Sequence, residues 1–215
     1  MSDLKLHNYF RSSTSVRVRA ALNLKGLDYD YVPLALLKGE HRAAEHLAMN
    51  PSGLVPTLVT PQGPLPQSLA ILEWLEEVHP EPALLPSDPW GRARVRSLAH
   101  IVALDIHPVN NLRILQHLET EFDADAAAKA KWFRKWASTG MEALETRLAN
   151  APETGEFCHG DTVSMADLCL YAQVINNARF DVDMSGYPTI SRIHANCMAI
   201  PALEQAIPAN QIDAV

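Results

Sequence analysis

Residues 1–80 switch repeatedly between two hydrophobic periods. Lys5-Leu6-His7-Asn8-Tyr9-Phe10 alternates polar and apolar positions, the period of a strand with one buried face. Ser12, Ser13 and Ser15 then lead into Val16, Val18, Ala20, Ala21, Leu22 and Leu24, which stop at Lys25-Gly26. Hydroxyls at the start and glycine just past the end are helix boundary signals. Tyr29–Leu34 reads as a second strand and His41–Met49 as a weaker helix stopped by Asn50-Pro51. Thr57–Thr60 and the segment around Leu65 flank Gln62-Gly63, the pattern of a hairpin. Ser68–His79 is amphipathic, with Leu69, Leu72 and Leu75 on one side, and it ends before Pro80. The predicted order is βαβαββα.

Pro80, Pro82, Pro86 and Pro89 follow in close succession. Each removes a backbone donor and clashes with a preceding turn, so neither a helix interior nor a central strand survives that density. The chain therefore divides into an α/β domain over 1–83, a linker over 84–90 and an all-helical domain over 91–215. Helices are predicted over 91–119, 124–149, 164–180, 188–199 and 201–207. Ser164 and Asp167 have the spacing of a capping box, and Val163 with Leu168 that of a hydrophobic staple; their role is in folding.

Composition narrows the function without naming it. The chain has 215 residues, 47% hydrophobic and 20% charged, ordinary values for a globular protein that needs no disulfides to hold a core. A net charge of -7 argues against nucleic acid or an anionic membrane as the main partner, since both need a cationic surface. The N-terminus lacks a basic segment leading into an apolar one, and the apolar window Ser68–Leu75 is interrupted by Glu73, far short of the ~20 residues of a spanning helix. Cys158, Cys169 and Cys197 are odd in number and lack CxxC spacing, which predicts reduced, buried thiols in a cytoplasmic protein and no zinc or dithiol centre. The HExxH, GxGxxG and GxxxxGKS patterns are absent, and no metal site is expected.

Three stretches could carry chemistry. In Arg11-Ser12-Ser13-Thr14-Ser15-Val16-Arg17-Val18-Arg19, hydroxyls crowd the junction of a strand and a helix. Unpaired N–H groups and the helix dipole favour an anion there, and a hydroxyl can hydrogen-bond a thiolate and lower its pKa. N-capping alone accounts for one serine, but four hydroxyl residues in a row exceed what a cap requires. No cysteine lies there, so a thiolate would come from a bound cofactor. Pro56, in Leu54-Val55-Pro56-Thr57-Leu58, could be cis and would leave the backbone of Val55 open to a ligand backbone; an ordinary loop proline is the other reading. Gln67-Ser68 opens a helix, where Ser68 is an N-cap or where a carboxylate could sit on the first-turn N–H groups.

These stretches, in this order and followed by an all-α region, resemble the cytosolic glutathione transferases. The likeness covers essentially the whole chain. The run Ser12–Arg19 is similar to the signature of the zeta class, which includes the maleylacetoacetate and maleylpyruvate isomerases. Asn50-Pro51, Val55–Leu58, Gln67–Ile71, Leu84-Leu85-Pro86 and Met165–Leu170 also match. The usual Ser-Ser-Cys-Ser is altered by Thr14, which keeps a hydroxyl but no nucleophilic sulfur. Thr14 and the stretch Asp105–Arg113 look most like the bacterial maleylpyruvate isomerases.

The resemblance implies a thioredoxin-like domain plus a helical domain, glutathione as cofactor, and a homodimer. It implies a small anionic maleyl keto acid as substrate, isomerised to its fumaryl form; maleylpyruvate is preferred over maleylacetoacetate. Ser12, Ser13, Thr14, Ser15, Val16 and Arg17 would line the thiol site, with Ser13 the hydroxyl nearest the sulfur. His41 would reach the glycine end of glutathione, Val55 its cysteinyl backbone, and Gln67 with Ser68 its γ-glutamyl end. His107, Asn111, Leu112 and Arg113 would complete the site. Arginine grips carboxylates bidentately, so Arg11, Arg113 and Arg179 are the expected substrate clamp. Taken singly, His41 and Arg113 read as solvated helix residues, His107 as a polar group before Pro108, Arg179 as a helix-end residue favoured by the dipole, and Arg17 and Arg19 as ion-pair partners. Two alternatives keep the fold: a transferase conjugating or dehalogenating α-haloacids, and a non-catalytic binding protein.

Overall fold

The computed structural model describes residues 2–214 and divides into two compact units, one running to Leu84 and taking in the tail from Met198, the other spanning Leu85–Cys197. The first unit contains β1 (Lys5–Asn8), α1 (Ser13–Leu24), β2 (Asp30–Pro33), α2 (Ala44–Met49), β3 (Thr57–Thr60), β4 (Gly63–Pro66) and α3 (Ser68–Val78). The sheet order is β2-β1-β3-β4. α1 supplies the crossover that parallel strands require, so β1 and β2 run parallel, Leu6 opposite Tyr31. β3 runs antiparallel to β1 and to β4. Leu6 and Leu58 face each other across the β1–β3 ladder, and both are fully buried. Pro64 and Pro66 sit in β4 because it is an edge strand, where a missing donor leaves no ladder bond broken. This is the expected thioredoxin-like arrangement.

Two expectations change in this unit. The helix over 41–49 is shorter: Glu40–Arg42 form a 3-10 turn, Ala43 is extended, and α2 starts at Ala44. The tail, expected to belong with the helical part through residue 215, packs in the first unit instead. Buried Arg19 is the reason: its Nε and Nη2 donate to the Ala206 carbonyl at 3.1 and 2.8 Å, while Nη1 and Nη2 reach Asn8 Oδ1 and the Phe10 carbonyl. Arg19 is thus held by carbonyl and amide oxygens on three sides of its guanidinium. α10 (Pro201–Glu204) lies against α1.

The second unit is helical: α4 (Pro89–His100), α5 (His107–Asn110), α6 (Leu112–Phe122), α7 (Ala126–Ala149), α8 (Met165–Ala178) and most of α9 (Pro188–Met198). α4 begins inside the expected linker, with Pro89 in its first turn, where no donor is lost, and Asp88 capping Gly91 N–H at 2.8 Å. The single helix expected over 91–119 is broken. Ile101–Ile106 form a π-helical segment, and the chain breaks again at Asn111, the N-cap of α6. Pro108 explains the first change, because it has no N–H to return to the preceding turn. The capping box at α8 holds through Asp167 Oδ2, which accepts from Ser164 N–H at 2.8 Å and Ser164 Oγ at 2.6 Å. Among the described residues no helix is long and apolar enough to cross a membrane. The three cysteines are buried and none is in a disulfide among the described residues, and burial pushes the Cys158 and Cys197 thiols up.

Candidate active site

The start of α1 is wired to the loop before β3. Ser12, the N-cap, accepts from Ser15 N–H at 3.2 Å, and its hydroxyl lies 2.8 Å from Thr14 Oγ1. Thr14 Oγ1 is in turn 3.0 Å from the Val55 carbonyl. A carbonyl only accepts, so the Thr14 proton goes to Val55 and the Ser12 proton goes to Thr14. The result is a directed chain, Ser12 to Thr14 to Val55, along the positive end of a helix. The Val55–Pro56 bond is cis. The Val55 carbonyl, expected to be open, therefore already takes one hydroxyl and has one lone pair left.

Burial sorts the remaining residues of the cluster. Ser12 and Arg11 are half-exposed, and Ser13 and Thr14 keep 5% and 8% of their surface. Ser15 and Val16, also expected at the thiol site, keep none. α1 runs through the middle of its unit, so its second turn belongs to the core. Arg17 is also buried, and its Nη1 donates to Ser68 Oγ at 3.3 Å. It therefore ties the start of α3 to α1. Arg11 lies over the Phe10 ring, with its guanidinium carbon 4.9 Å from the centroid.

α3 opens differently from the expectation. Gln67, not Ser68, is the N-cap; it makes no side-chain capping bond, and its φ is +75°. The left-handed region costs a glutamine energy that glycine would not pay, and such outliers gather at functional sites. Gln67 is exposed, and the first N–H groups of α3 carry no side-chain cap, the condition for holding a carboxylate. His41 is half-buried; its Nδ1 has no hydrogen-bond partner among the described residues, and burial, then Arg42 and His46, pushes its pKa down.

Several supporting residues escaped the sequence reading. His46 Nε2 and Asn50 Nδ2 both lie 2.9 Å from the Leu54 carbonyl, one residue before Val55. Asn50 Nδ2 also reaches Thr57 Oγ1 at 3.1 Å, so both ends of the Leu54–Thr57 loop are held. Only the helix-stopping Asn50-Pro51 signalled this. Asp213 accepts from Phe10 N–H at 3.3 Å and from the Tyr31 hydroxyl at 2.5 Å, fixing the residue before Arg11. No periodicity marks Asp213 in the sequence.

In the second unit, His107 follows the π segment directly and Asn111 caps α6. Asn111 Nδ2 lies 3.2 Å from His107 Nε2, and Asn111 Oδ1 accepts from Arg113 N–H at 3.2 Å. One asparagine thus orients an imidazole and starts a helix. Leu112, the first residue of α6, is half-buried, and Arg113 is exposed. Arg179 is the exposed C-cap of α8, donating to Asn176 Oδ1 at 3.0 Å, its guanidinium carbon 5.6 Å from the Phe180 ring centroid. The structure thus joins Ser12, Thr14 and Val55, Arg17 and Ser68, and His107 and Asn111. No cluster of His, Cys, Asp and Glu among the described residues could hold a metal.

Comparison with known proteins adds an independent line. The glutathione S-transferase N-terminal domain model matches residues 6–83, and the C-terminal domain model matches residues 112–207. The maleylpyruvate isomerase of Ralstonia sp is 49% identical, over 98% of this chain and 99% of its own length. The holo structure of a maleylpyruvate isomerase, a bacterial zeta-class glutathione S-transferase, superimposes with a TM-score of 0.96 at 49% identity, covering 98% of this chain and 100% of that one. The maleylacetoacetate isomerase of Methylobacterium extorquens AM1, solved with bound malonate and GSH, gives a TM-score of 0.95 at 42% identity, covering 98% and 99%.

Proposed function

The chain belongs to the glutathione S-transferase family, and from that premise we propose that it is a zeta-class, glutathione-dependent cis–trans isomerase of a maleyl keto acid. The observation that carries the reading is the directed hydroxyl chain at the α1 N-terminus, which contains no cysteine of its own. The residues fit glutathione. The α1 terminus suits a thiolate, the uncapped α3 terminus behind Gln67 suits the γ-glutamyl carboxylate, and the unpartnered His41 Nδ1 suits the glycine end.

When bound, glutathione supplies a thiolate that adds reversibly to an activated cis double bond, which frees the bond to rotate and leaves glutathione unconsumed. The chain's own residues do the rest. Ser13 and the first N–H groups of α1 lower the thiol pKa by hydrogen bonding and by the helix dipole, raising the thiolate fraction near neutral pH. Ser12 and Thr14 hold that terminus against Val55. Arg11, Arg113 and Arg179 clamp the substrate carboxylates and stabilise charge as it builds on the keto acid. His107, Asn111 and Leu112 shape the same end. Thr14 and the stretch Asp105–Arg113 favour maleylpyruvate over maleylacetoacetate as substrate. The working form in this reading is a cytoplasmic homodimer.

The test supplies maleylpyruvate and maleylacetoacetate separately, with glutathione at a small fraction of the substrate concentration. Fumaryl product should form with the glutathione titre unchanged, faster from maleylpyruvate. Stoichiometric loss of glutathione would make the protein a conjugating transferase, and no turnover of either substrate would sink the isomerase reading.

A further inference from the structure

α7 contains a glycine, Gly140, in the interior of a 24-residue helix, where glycine costs about 1 kcal/mol relative to alanine. Its backbone is ordinary helix, so no turn demands it. Space does. A Cβ on Gly140 would stand 2.2 Å from Ile106 Cγ1 and 2.4 Å from Ile106 Cδ1. Ile106 is fully buried, and it is the last residue of the π-helical segment, immediately before His107. α7 grips the same stretch twice more. Trp132 Nε1 donates to the Val109 carbonyl at 2.9 Å, and Asn110 Nδ2 donates to the Phe133 carbonyl at 3.2 Å.

We propose that Gly140 is a positioning residue: by admitting the Ile106 side chain against the α7 backbone, it sets where the π segment delivers His107, Asn111 and Arg113. The inference rests on the isomerase reading for what those three residues serve, but not for how they are placed. The π segment is short and rare, and it has a mechanical consequence. The His107 N–H returns to the Val102 carbonyl, five residues back, so the widened turn redirects the chain just ahead of Pro108. Ile106 is the side chain by which that turn is pinned. An added methyl on α7 cannot be absorbed by a flexible tip, because the nearer clash is with Cγ1. The π segment would move outward as a body, and His107 would move with it. Displacements of about 1 Å at groups that orient substrate can cost about 100-fold in rate.

The experiment compares wild type, G140A and the exchange variant I106A/G140A, in which the added methyl occupies the space vacated on Ile106. Three quantities are read: the NMR signal of the His107 imidazole, malonate affinity by calorimetry in the presence of glutathione, and kcat/KM for maleylpyruvate. G140A should shift the His107 signal, weaken malonate and lower kcat/KM about 10- to 100-fold. I106A/G140A should bring all three back to within about threefold of wild type, the coupling expected of touching residues. If G140A does not fold, N110A and W132F release the two hydrogen bonds to α7 without adding volume, and the same displacement of the His107 signal is expected. A folded G140A with an unchanged His107 signal overturns the inference, as does an exchange variant no better than G140A. Wild type that isomerises no maleyl keto acid sinks the isomerase reading, and the His107 signal still decides the positioning.

Discussion

The two units offer their candidate residues in opposite ways. In the first, Ser13, Thr14, Arg17 and Ser68 are nearly buried, and Ser12, Thr14 and Val55 are joined in one hydrogen-bonded chain. In the second, the Arg113 and Arg179 side chains are exposed on helix ends, and Asn111 is bonded to the His107 imidazole and to the Arg113 backbone N–H. A thiol must be held by groups that do not move, because the pKa of the sulfur depends on donor geometry. Carboxylates can be gripped by long cationic side chains that reach out from a surface. The first unit should therefore couple binding to stability, whereas the second should separate turnover from stability.

The sharpest break of that comparison is the pair R113A and R179A. Each removes a charge-assisted contact of about 1.5–3 kcal/mol, so each should lower kcat/KM for the maleyl keto acid by roughly 10- to 100-fold. Because both side chains are exposed, unfolding free energy should change by no more than about 0.5 kcal/mol. Steady-state kinetics beside thermal unfolding checks both halves. A large loss of stability with turnover intact would mean that these arginines hold the helices rather than the substrate.

T14V should do the reverse. Valine keeps the shape of threonine but removes the hydroxyl that links Ser12 to the Val55 carbonyl. Thr14 itself is buried but Ser12 and Val55 are half-exposed and can turn to water, so the lost bonds cost about 1 kcal/mol of stability, and glutathione affinity should fall about 10-fold as the α1 terminus and the Val55 loop lose their tie. T14S, which restores the hydroxyl, should recover most of both losses. Calorimetric titration with glutathione, run beside thermal unfolding, measures them together. A T14V variant with wild-type affinity would make the hydroxyl chain a local cap and nothing more.

The βαβαββα order and the helical remainder were legible because buried faces impose periods of 2 and 3.6 on the sequence. The hydroxyl cluster was legible because four such residues exceed what a cap requires. Three features were not. Arg19 looks like an ion-pair residue on an amphipathic helix, yet it also binds the Ala206 carbonyl, 187 positions away, and a carbonyl leaves no mark in a sequence. The π segment hides inside a continuous helical period. Pro108 was its one visible trace, and Gly140, its packing counterpart, is far along the chain. Gln67 adopts φ +75° although nothing in a glutamine announces it. Side-chain pattern records burial, whereas backbone partners and backbone distortions are fixed by residues distant in sequence.

Acidification sharpens the comparison with the smallest effect. Burial is the leading cause that lowers the pKa of His7 and His41 in the first unit and of His194 in the second. Below the ordinary value of 6.5, the unfolded chain takes up protons that these folded imidazoles resist. The folded state then binds fewer protons than the unfolded one, so stability is present above 6.5 and is lost as pH falls through the folded values. Asp167 works in the opposite sense, because burial raises its carboxyl, so variants must be compared at each pH. Thermal unfolding between about pH 7.5 and pH 5.5 should show a falling midpoint in wild type and a shallower fall in H7Q/H41Q, which removes the share of the first unit. H194Q should flatten the curve less, since it removes one group rather than two. Equal slopes in wild type and H7Q/H41Q would show that the first unit does not hold its imidazoles neutral, and the contrast in rigidity between the units would lose its electrostatic half.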